Sequence, residues 1–304
     1  MKDAACAGRL PRGLLKIISI KVLKIVTRIA ELRSLLDGER AAGRTVGFVP
    51  TMGALHEGHA SLVRAARSEN DVVACSIFVN PTQFNDKSDL EHYPRTPEAD
   101  RVLVEEAGCD VLFLPSVDEM YPQGEEEIIP RISWGLLDKV MEGAQRLGHF
   151  AGVVQIVKKL FDAAGPCKAY FGEKDFQQLA VIRRMAQDLQ LPVEIVPCPT
   201  LRESDGLAMS SRNTRLRPEE RAVAPLLSKA LFMARELWPS HDAETIKEKV
   251  KALIAAEPRF RLDYFEIADA DTLGPLREGQ KNKAVACIAA YLGLVRLIDN
   301  VRLT

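Results

Sequence analysis

The chain has 304 residues, of which 47% are hydrophobic and 27% charged, and its 41 basic and 42 acidic side chains leave a formal net charge of −1. This composition excludes a disordered, collagen-like or coiled-coil chain. The balanced charge argues against a general nucleic-acid binder, and no apolar run approaches the roughly 18 residues that a membrane-spanning helix needs. We therefore expect a globular protein whose partners are neither nucleic acids nor membranes.

Residues 1–21 are basic, and lysines interrupt their apolar positions. A signal peptide needs an unbroken apolar core before its cleavage site, so this segment lacks the pattern of one. We expect a poorly ordered N-terminal extension, which an over-long assignment of the start would also explain.

The first predicted helix is capped by Thr27 and ended by Gly43, with Ile29, Leu32 and Leu36 at helical spacing. Beyond it, short apolar runs alternate with longer amphipathic runs: strand 46–49, helix 58–69, strand 72–79, a helix from the Thr96 cap to about 108, strand 111–114, helix 152–163, strand 169–171, helix 176–189 and strand 193–196. This alternation predicts an α/β fold with a parallel sheet, and strands that are apolar throughout indicate helices on both faces.

After about residue 200 the pattern changes. Two long helices are predicted at 218–238 and 242–256, followed by strands at 262–267, 284–290 and 295–298. Such a run of helices and then strands is typical of an α+β unit. We therefore predict two domains, 22–199 and a smaller one at 200–304.

The cysteines stand singly, with no Cys-x-x-Cys pair and no spacing typical of a zinc site: Cys6, Cys75, Cys109, Cys167, Cys198 and Cys287. A chain of this length needs no disulfides to stabilise its core. We expect free, mostly buried thiols, as in the reducing cytoplasm.

Ligands of parallel α/β sheets bind at the carboxyl ends of the strands, so the loops after the strands carry the candidate site. The first, at residues 50–59, ends in a His-x-Gly-His motif made by His56 and His59 where a helix begins. Gly53 and Gly58 have P-loop spacing, but His-Ala replaces Lys-Ser/Thr, which excludes a Walker loop. No Gly-x-Gly-x-x-Gly motif is present, so the usual dinucleotide-binding site is not expected either.

The two histidines lie three residues apart, on one face of a helical turn. With the N–H groups and the positive dipole end of the helix, His56 and His59 can form an anion site for phosphates, and Gly58 lets a nucleotide approach the backbone. Two unrelated surface histidines or a zinc pair are alternative interpretations. No third zinc-ligand cluster lies nearby, and helical zinc pairs are more often four residues apart.

Three further loops carry polar groups at the same predicted edge. The amides of residues 80–85 suit a hydroxylated carboxylate, residues 171–175 offer a glycine, a cation and an acid for a nucleotide, and residues 209–213 offer hydroxyls and a guanidinium for a triphosphate. Each loop alone is explained as well by a turn, a solvated loop or a helix cap. Their coincidence at one edge is what indicates a site.

With these motifs in this order, the sequence resembles the pantoate–β-alanine ligase (pantothenate synthetase) family, whose wider nucleotidyltransferase group shares a His-x-Gly-His site with class I aminoacyl-tRNA synthetases. The resemblance begins near residue 22 and rests on residues 50–59, 80–84, 93–96, 148–153, 172–175 and 210–213. It implies a Rossmann-like domain for ATP and pantoate at 22–199 and a C-terminal lid at 200–304. It gives residues 1–21 no role.

The reaction that this resemblance implies has two steps, which are attack of pantoate on the α-phosphate of ATP and displacement of AMP by β-alanine. His56 and His59 would stabilise the α-phosphate and Lys174 would neutralise phosphate charge. The implied ATP contacts are Met52, Gly53, Ala54, Leu55, His56, Glu57, Gly58, His59, Gly172, Glu173, Lys174, Asp175, Leu201, Met209, Ser210, Ser211 and Arg212.

The resemblance assigns the remaining ligands to other loops. Gln83 and Gln178 would hold pantoate, with Gln83 also near β-alanine, and Asn80 and Arg146 are weaker candidates. Asp100 would be the side chain near Mg²⁺. A homodimer is implied by the resemblance alone.

Two other functions are compatible with the histidine motif. One is transfer of AMP or CMP to a phosphorylated acceptor, although such an acceptor requires a cationic pocket rather than amides. The other is a nucleotide-binding regulatory module that has lost catalysis, against which the intact His56, His59 and Lys174 count.

Overall fold

The computed structural model describes residues 22–84, 90–124, 129–277 and 279–303. The predicted N-terminal extension at 1–21 and Cys6 lie outside the described residues. Among the helices that are described, none is long and apolar enough to cross a membrane.

Six short strands form a parallel sheet in the order β1-β4-β3-β2-β5-β6. They are β1 (Lys24–Val26), β2 (Val46–Thr51), β3 (Val72–Ile77), β4 (Val111–Phe113), β5 (Cys167–Gly172) and β6 (Val193–Cys198). From β2 the chain builds outward through β3 to β4, and from β5 it builds outward to β6 on the other side. This reversal between β2 and β5 leaves a crevice at their carboxyl ends, where ligands of open α/β sheets bind.

Alternate strand residues enter different cores, because successive side chains of a strand point to opposite faces. Phe48 and Phe113 lie in one core, while Val49 and Leu112 lie in the other. Helices cover both faces, as the apolar strands predicted. The helices of this part are Ile29–Ala41, Glu57–Glu69, Pro97–Glu106, Val117–Met120, Met141–Gln145, His149–Ala164 and Phe176–Asp188.

The C-terminal part has a three-stranded antiparallel sheet in the order β7-β8-β9. Its strands are β7 (Phe260–Asp269), β8 (Ala284–Leu292) and β9 (Val295–Arg302), preceded by helices Pro218–Arg221, Leu226–Leu237 and Ala243–Ala255. Ala286 and Ile288 of β8 pack on those helices, whereas Val285 and Cys287 join the core of the parallel sheet. The sheet is therefore buried on both faces, which explains why β8 is apolar throughout.

Four details of the sequence prediction differ from the structure. The first helix begins at Ile29 with Arg28 rather than Thr27 at its N-cap, and the Ile29 N–H donates to the distant Glu119 carboxylate at 2.8 Å. Thr96 stands at its predicted N-cap but makes no capping bond to the backbone.

The helix predicted at 218–238 is wrong as a single element, because a turn containing Pro225 divides it and proline lacks the N–H that a helix interior needs. The exposed edge strand β1 was not predicted at all.

Candidate active site

The loops that follow β2, β3, β5 and β6 converge on one cleft of about 220 Å³ at the predicted edge of the sheet. Most of the candidate residues line it together: Met52, His56, Gly58, His59, Asn80, Gln83, Gly172, Lys174, Asp175, Gln178, Leu201, Met209, Ser210, Ser211 and Arg212. The histidines, the glutamine amides and the lysine thus face one cavity, although they are distant in the sequence.

The two histidines cap the helix that they begin. His56 Nδ1 accepts the N–H of Gly58 at 3.1 Å, and His59 Nδ1 accepts the N–H of His56 at 3.3 Å. Their ring centroids are 4.1 Å apart. A Cβ atom at Gly58 would lie 2.8 Å from Cε1 of the His56 ring, so this close packing requires glycine.

Both imidazoles are neutral at physiological pH. Desolvation, followed by the charge of Lys174, lowers the pKa of His56 to about 4. Desolvation, followed by His56, lowers the pKa of His59 to about 3. Since each Nδ1 accepts a backbone N–H, the single proton of each ring is on Nε2. The pair can therefore offer two neutral N–H donors to a phosphate.

A buried carboxylate holds the loop before the histidines. Asp100 accepts the N–H of Ala54 at 3.0 Å, the N–H of Leu55 at 2.7 Å and the hydroxyl of Thr96 at 2.9 Å. Gly53 adopts a φ of +84°, and a Cβ there would lie 3.2 Å from the Asp100 carboxylate. The loop is thus fastened to the helix Pro97–Glu106 by the residue that the resemblance assigned to Mg²⁺.

The amide wall of the cleft is built around a short 3₁₀ turn, Pro81–Gln83. The Asn80 side chain is buried and fully engaged, since it accepts the Tyr121 hydroxyl at 2.6 Å and donates to the Gly152 carbonyl at 3.2 Å. The Gln83 amide has weaker partners, namely the Met52 sulfur and a 3.4 Å bond from Asn80. The Gln178 side chain makes no hydrogen bond to another described residue. Two amides are therefore available to a ligand, while Asn80 supports the turn.

The opposite wall carries the charges. Lys174 Nζ lies 3.8 Å from the Asp175 carboxylate. Desolvation raises the pKa of Asp175, but Lys174, Arg212 and Arg146 outweigh it and bring the pKa below its ordinary value. Asn300 of β9 donates to the carbonyls of Glu173 and Lys174 at 2.8 and 2.9 Å, so the C-terminal sheet holds this turn in place.

The last wall comes from residues 199–212. The Leu201 carbonyl accepts the Met209 N–H at 3.0 Å, and Ser210 caps the short turn Ser211–Arg215. The Leu201 N–H donates to no other described residue, so it can contact a ligand. The Arg212 guanidinium lies over the Tyr93 ring, 5.8 Å from its centroid.

Six predicted residues do not line this cleft: Gly53, Ala54, Leu55, Glu57, Glu173 and Asp100. The N–H groups of Ala54 and Leu55 are bound to Asp100, Glu57 pairs with Arg64 on the surface, and the Glu173 carboxylate points towards Arg302. Direct contact with ATP stays a prediction for the first five of these residues, and a place near Mg²⁺ stays a prediction for Asp100.

His149 is a cleft residue that the sequence analysis did not assign, together with Tyr93 and Thr200. The only signal for His149 was its position in the motif at 148–153.

Among the described residues, no group of three or more His, Cys, Asp and Glu side chains is gathered as a metal site would require.

Comparison with known proteins gives a consistent picture. The family model for pantoate–β-alanine ligase matches residues 24–302. The pantothenate synthetase of Porphyromonas gingivalis is 50% identical over 281 residues, which are 92% of this chain and 99% of that protein. That of Phocaeicola vulgatus is 52% identical over 282 residues, with the same coverage.

Solved structures agree in fold. A crystal structure of pantothenate synthetase from Thermus thermophilus has a TM-score of 0.85 at 46% identity, covering 92% of this chain and 99% of the other. A pantoate–β-alanine ligase from Francisella tularensis, complexed with β-γ ATP and β-alanine, has a TM-score of 0.75 at 34% identity and covers 93% and 98%.

Proposed function

Since the chain belongs to the pantoate–β-alanine ligase family, we propose that the cleft between β2 and β5 is where it activates pantoate with ATP. The enzyme condenses (R)-pantoate with β-alanine to give pantothenate, AMP and pyrophosphate through pantoyl adenylate. The observation that carries the site assignment is the convergence of the histidine pair, the amides of Gln83 and Gln178 and the charge of Lys174 on one cavity.

The α-phosphate of ATP lies against His56 and His59 in this proposal. Their Nε2–H groups donate to the phosphate oxygens, and the positive dipole end of the helix Glu57–Glu69 stabilises the negative charge that builds up on the pentacoordinate phosphorus. Lys174 and Arg212 neutralise the outer phosphates, which leave as pyrophosphate. Asp175 and Gly172 hold the ribose, and the N–H of Leu201 meets the adenine.

Pantoate lies on the amide side. Gln83 and Gln178 donate to its carboxylate and accept from its hydroxyls without adding charge. The pantoate carboxylate is already ionised at neutral pH, so one of its oxygens attacks the α-phosphorus without a general base. The bond from this phosphorus to the bridging oxygen breaks, and pyrophosphate leaves. The neutral β-alanine amine then attacks the acyl carbon of the adenylate, the bond from that carbon to the AMP oxygen breaks, and the amine nitrogen gives up one proton to solvent.

We propose that Mg²⁺ enters with the nucleotide. The Asp100 oxygens are buried and occupied by the loop at residues 54–55, and the Asp175 carboxylate, which lines the cleft, is assigned to the ribose. Magnesium usually keeps several water ligands and binds to substrate phosphates, so the nucleotide itself can bring it into the site. Bound to the phosphates, it would neutralise charge on the outer ones.

Three wider proposals accompany this function. Residues 200–304 act as a lid that shelters the adenylate from water, since β9 already contacts the Lys174 turn. The protein is a homodimer. It works in the cytoplasm, which suits the five described cysteines, all of them free thiols.

Exchange of labelled pyrophosphate into ATP tests the proposed function. We expect exchange only when pantoate is added, because the adenylate step is then reversible and complete without β-alanine. Exchange without pantoate, or with a phosphorylated acceptor instead, would mean a different nucleotidyltransferase, and its complete absence would indicate a binding module.

A further inference from the structure

His149 stands between the amide wall and the charged wall of the cleft, and both of its ring nitrogens are engaged. Its Nδ1 lies 2.8 Å from the Gln83 carbonyl oxygen, and Nη1 of Arg146 lies 3.1 Å from its Nε2. A carbonyl only accepts and a guanidinium only donates, so Nδ1 carries the proton and Nε2 accepts. Neither nitrogen is left for a substrate.

The ring stays neutral, as these bonds require. Desolvation, followed by the charge of Arg146, lowers the pKa of His149 to about 4. The side chain is only 6% exposed. His149 therefore keeps one donor towards Gln83 and one acceptor towards Arg146 across the physiological pH range.

The bond to Gln83 fixes the segment that carries the pantoate-binding amide. Pro81–Gln83 is a single 3₁₀ turn, too short to be rigid by itself. The helix His149–Ala164 begins directly against it: a Cβ at Gly152 would lie 2.5 Å from the Thr82 carbonyl and 2.9 Å from the Gln83 Cα. The Nδ1–H of the His149 ring makes the hydrogen bond from this helix to Gln83 itself. This bond therefore fixes the position of the Gln83 backbone, from which the side chain extends.

The other nitrogen connects to a buried ion-pair network. Arg146 lies 3.8 Å from Glu142, whose two oxygens accept two N–H groups of Arg296 from β9 at 2.7 and 2.8 Å. Tyr264 of β7 also donates to Glu142 at 2.9 Å. A continuous series of contacts therefore connects the C-terminal sheet to His149 through Glu142 and Arg146.

We propose that His149 is a positioning residue for the acid substrate, acting through its Nδ1–H bond to the Gln83 carbonyl and not by touching pantoate. This inference rests on the proposed function, because it takes Gln83 to hold pantoate. Loss of the bond lets the turn move and misplaces the amide, while the ATP side of the cleft, built from other loops, keeps its geometry.

Two amide variants separate the two ring nitrogens. In His149→Asn the amide nitrogen takes the place of Nδ1 and keeps the donor to Gln83, whereas in His149→Gln the amide reaches the place of Nε2 and keeps only the contact to Arg146. Pantoate-dependent pyrophosphate exchange gives the KM for pantoate and for ATP. We expect His149→Gln to raise the pantoate KM about tenfold, the scale of one lost hydrogen bond, with His149→Asn close to wild type and the ATP KM unchanged in both.

Two further variants make the outcome unambiguous. Asp162→Asn changes an exposed residue of the same helix and should leave both KM values unchanged. Gln83→Ala tests the assignment underneath: if it leaves the pantoate KM unchanged, the proposed role of Gln83 fails. If Gln83→Ala raises the pantoate KM but His149→Gln does not, or if His149→Asn is as impaired as His149→Gln, the positioning role is overturned. An equal rise in the ATP KM would also overturn it, by showing general damage.

Discussion

Two histidines at a helix N-terminus can act as donors here, because hydrogen bonds from the backbone fix their tautomer. Each Nδ1 of His56 and His59 accepts a main-chain N–H, and burial lowers both pKa values to about 4 and 3. The capping bonds therefore leave Nε2–H as the group that faces the cleft. A charged pair would bind ATP more strongly in its ground state, whereas fixed neutral donors can be aimed at the charge that develops during reaction.

Substitution of His59 tests this interpretation. His59→Ala should reduce the rate of adenylate formation by about two orders of magnitude, the scale of one lost transition-state donor. His59→Asn keeps an acceptor near the position of Nδ1 but has no group at Nε2, so it should be nearly as slow. Single-turnover measurement of pantoyl adenylate checks both.

The control for this comparison is Ser68→Ala, at the exposed far end of the same helix, which should react at the wild-type rate. If His59→Asn retained the wild-type rate, His59 would be a helix cap and not a phosphate donor.

At the scale of elements, the loop between β2 and its helix is held by a second helix. Asp100 is 2% exposed and accepts from Ala54, Leu55 and Thr96. Such a carboxylate clamp allows the positive φ values at Gly53 and Ala54 to persist, since several bonds fix the loop at once. The histidine pair is thereby placed by a residue of the helix Pro97–Glu106.

Asp100→Asn should separate the clamp from a magnesium role. The amide NH₂ cannot accept from a backbone N–H, so we expect the adenylation rate to fall about 10- to 100-fold, as one unsatisfied buried donor would cause. The concentration of Mg²⁺ needed for half-maximal rate should not change. Titration of Mg²⁺ in the exchange assay measures both quantities.

Glu98→Gln, exposed on the same helix, is the matched control and should behave as wild type. A large rise in the Mg²⁺ requirement of Asp100→Asn would instead return Asp100 to the metal.

At the scale of the whole molecule, the C-terminal sheet supports the candidate site and joins the core. Asn300 binds the Lys174 turn, Arg296 binds Glu142, and Val285 and Cys287 pack into the core of the parallel sheet. The walls of the candidate cleft are thus held from both parts of the chain.

Three neutral histidines with lowered pKa values also make global stability depend on pH. The pKa values of His56, His59 and His149 are about 4, 3 and 4, below the ordinary value of 6.5. Between about pH 4 and 6.5, the histidines of the unfolded chain therefore bind more protons than those of the folded chain. As a result, the free energy of unfolding falls as the pH decreases from about 7 towards 4. Between pH 7 and 5.5 we expect a loss of about 1 kcal/mol for each histidine. Urea unfolding at the two pH values measures it.

Replacing His149 by Asn removes one of these titrating groups and should reduce the loss by about a third, since the three contributions are similar. A stability that does not change between pH 7 and 5.5 would contradict neutral burial of these rings.

The sequence by itself determined the alternating α/β order and the loops that carry the chemistry, because hydrophobic period and strand-end position are local properties of the chain. It also determined the family, through motifs in a definite order. Pro225 was equally visible in the sequence, and the single helix predicted across it was an error of interpretation.

Only the tertiary structure decided which candidates keep hydrogen-bonding groups for a ligand. Asn80 and Asp100 carry the same kinds of group as Gln83 and Asp175, but contacts with Tyr121, Gly152 and the loop at residues 54–55 use their hydrogen bonds elsewhere. The cap of Ile29 by Glu119 and the hold of Asn300 on Lys174 join residues 90 and 126 positions apart. A local pattern contains no information about such partners, because they meet only when the chain has folded.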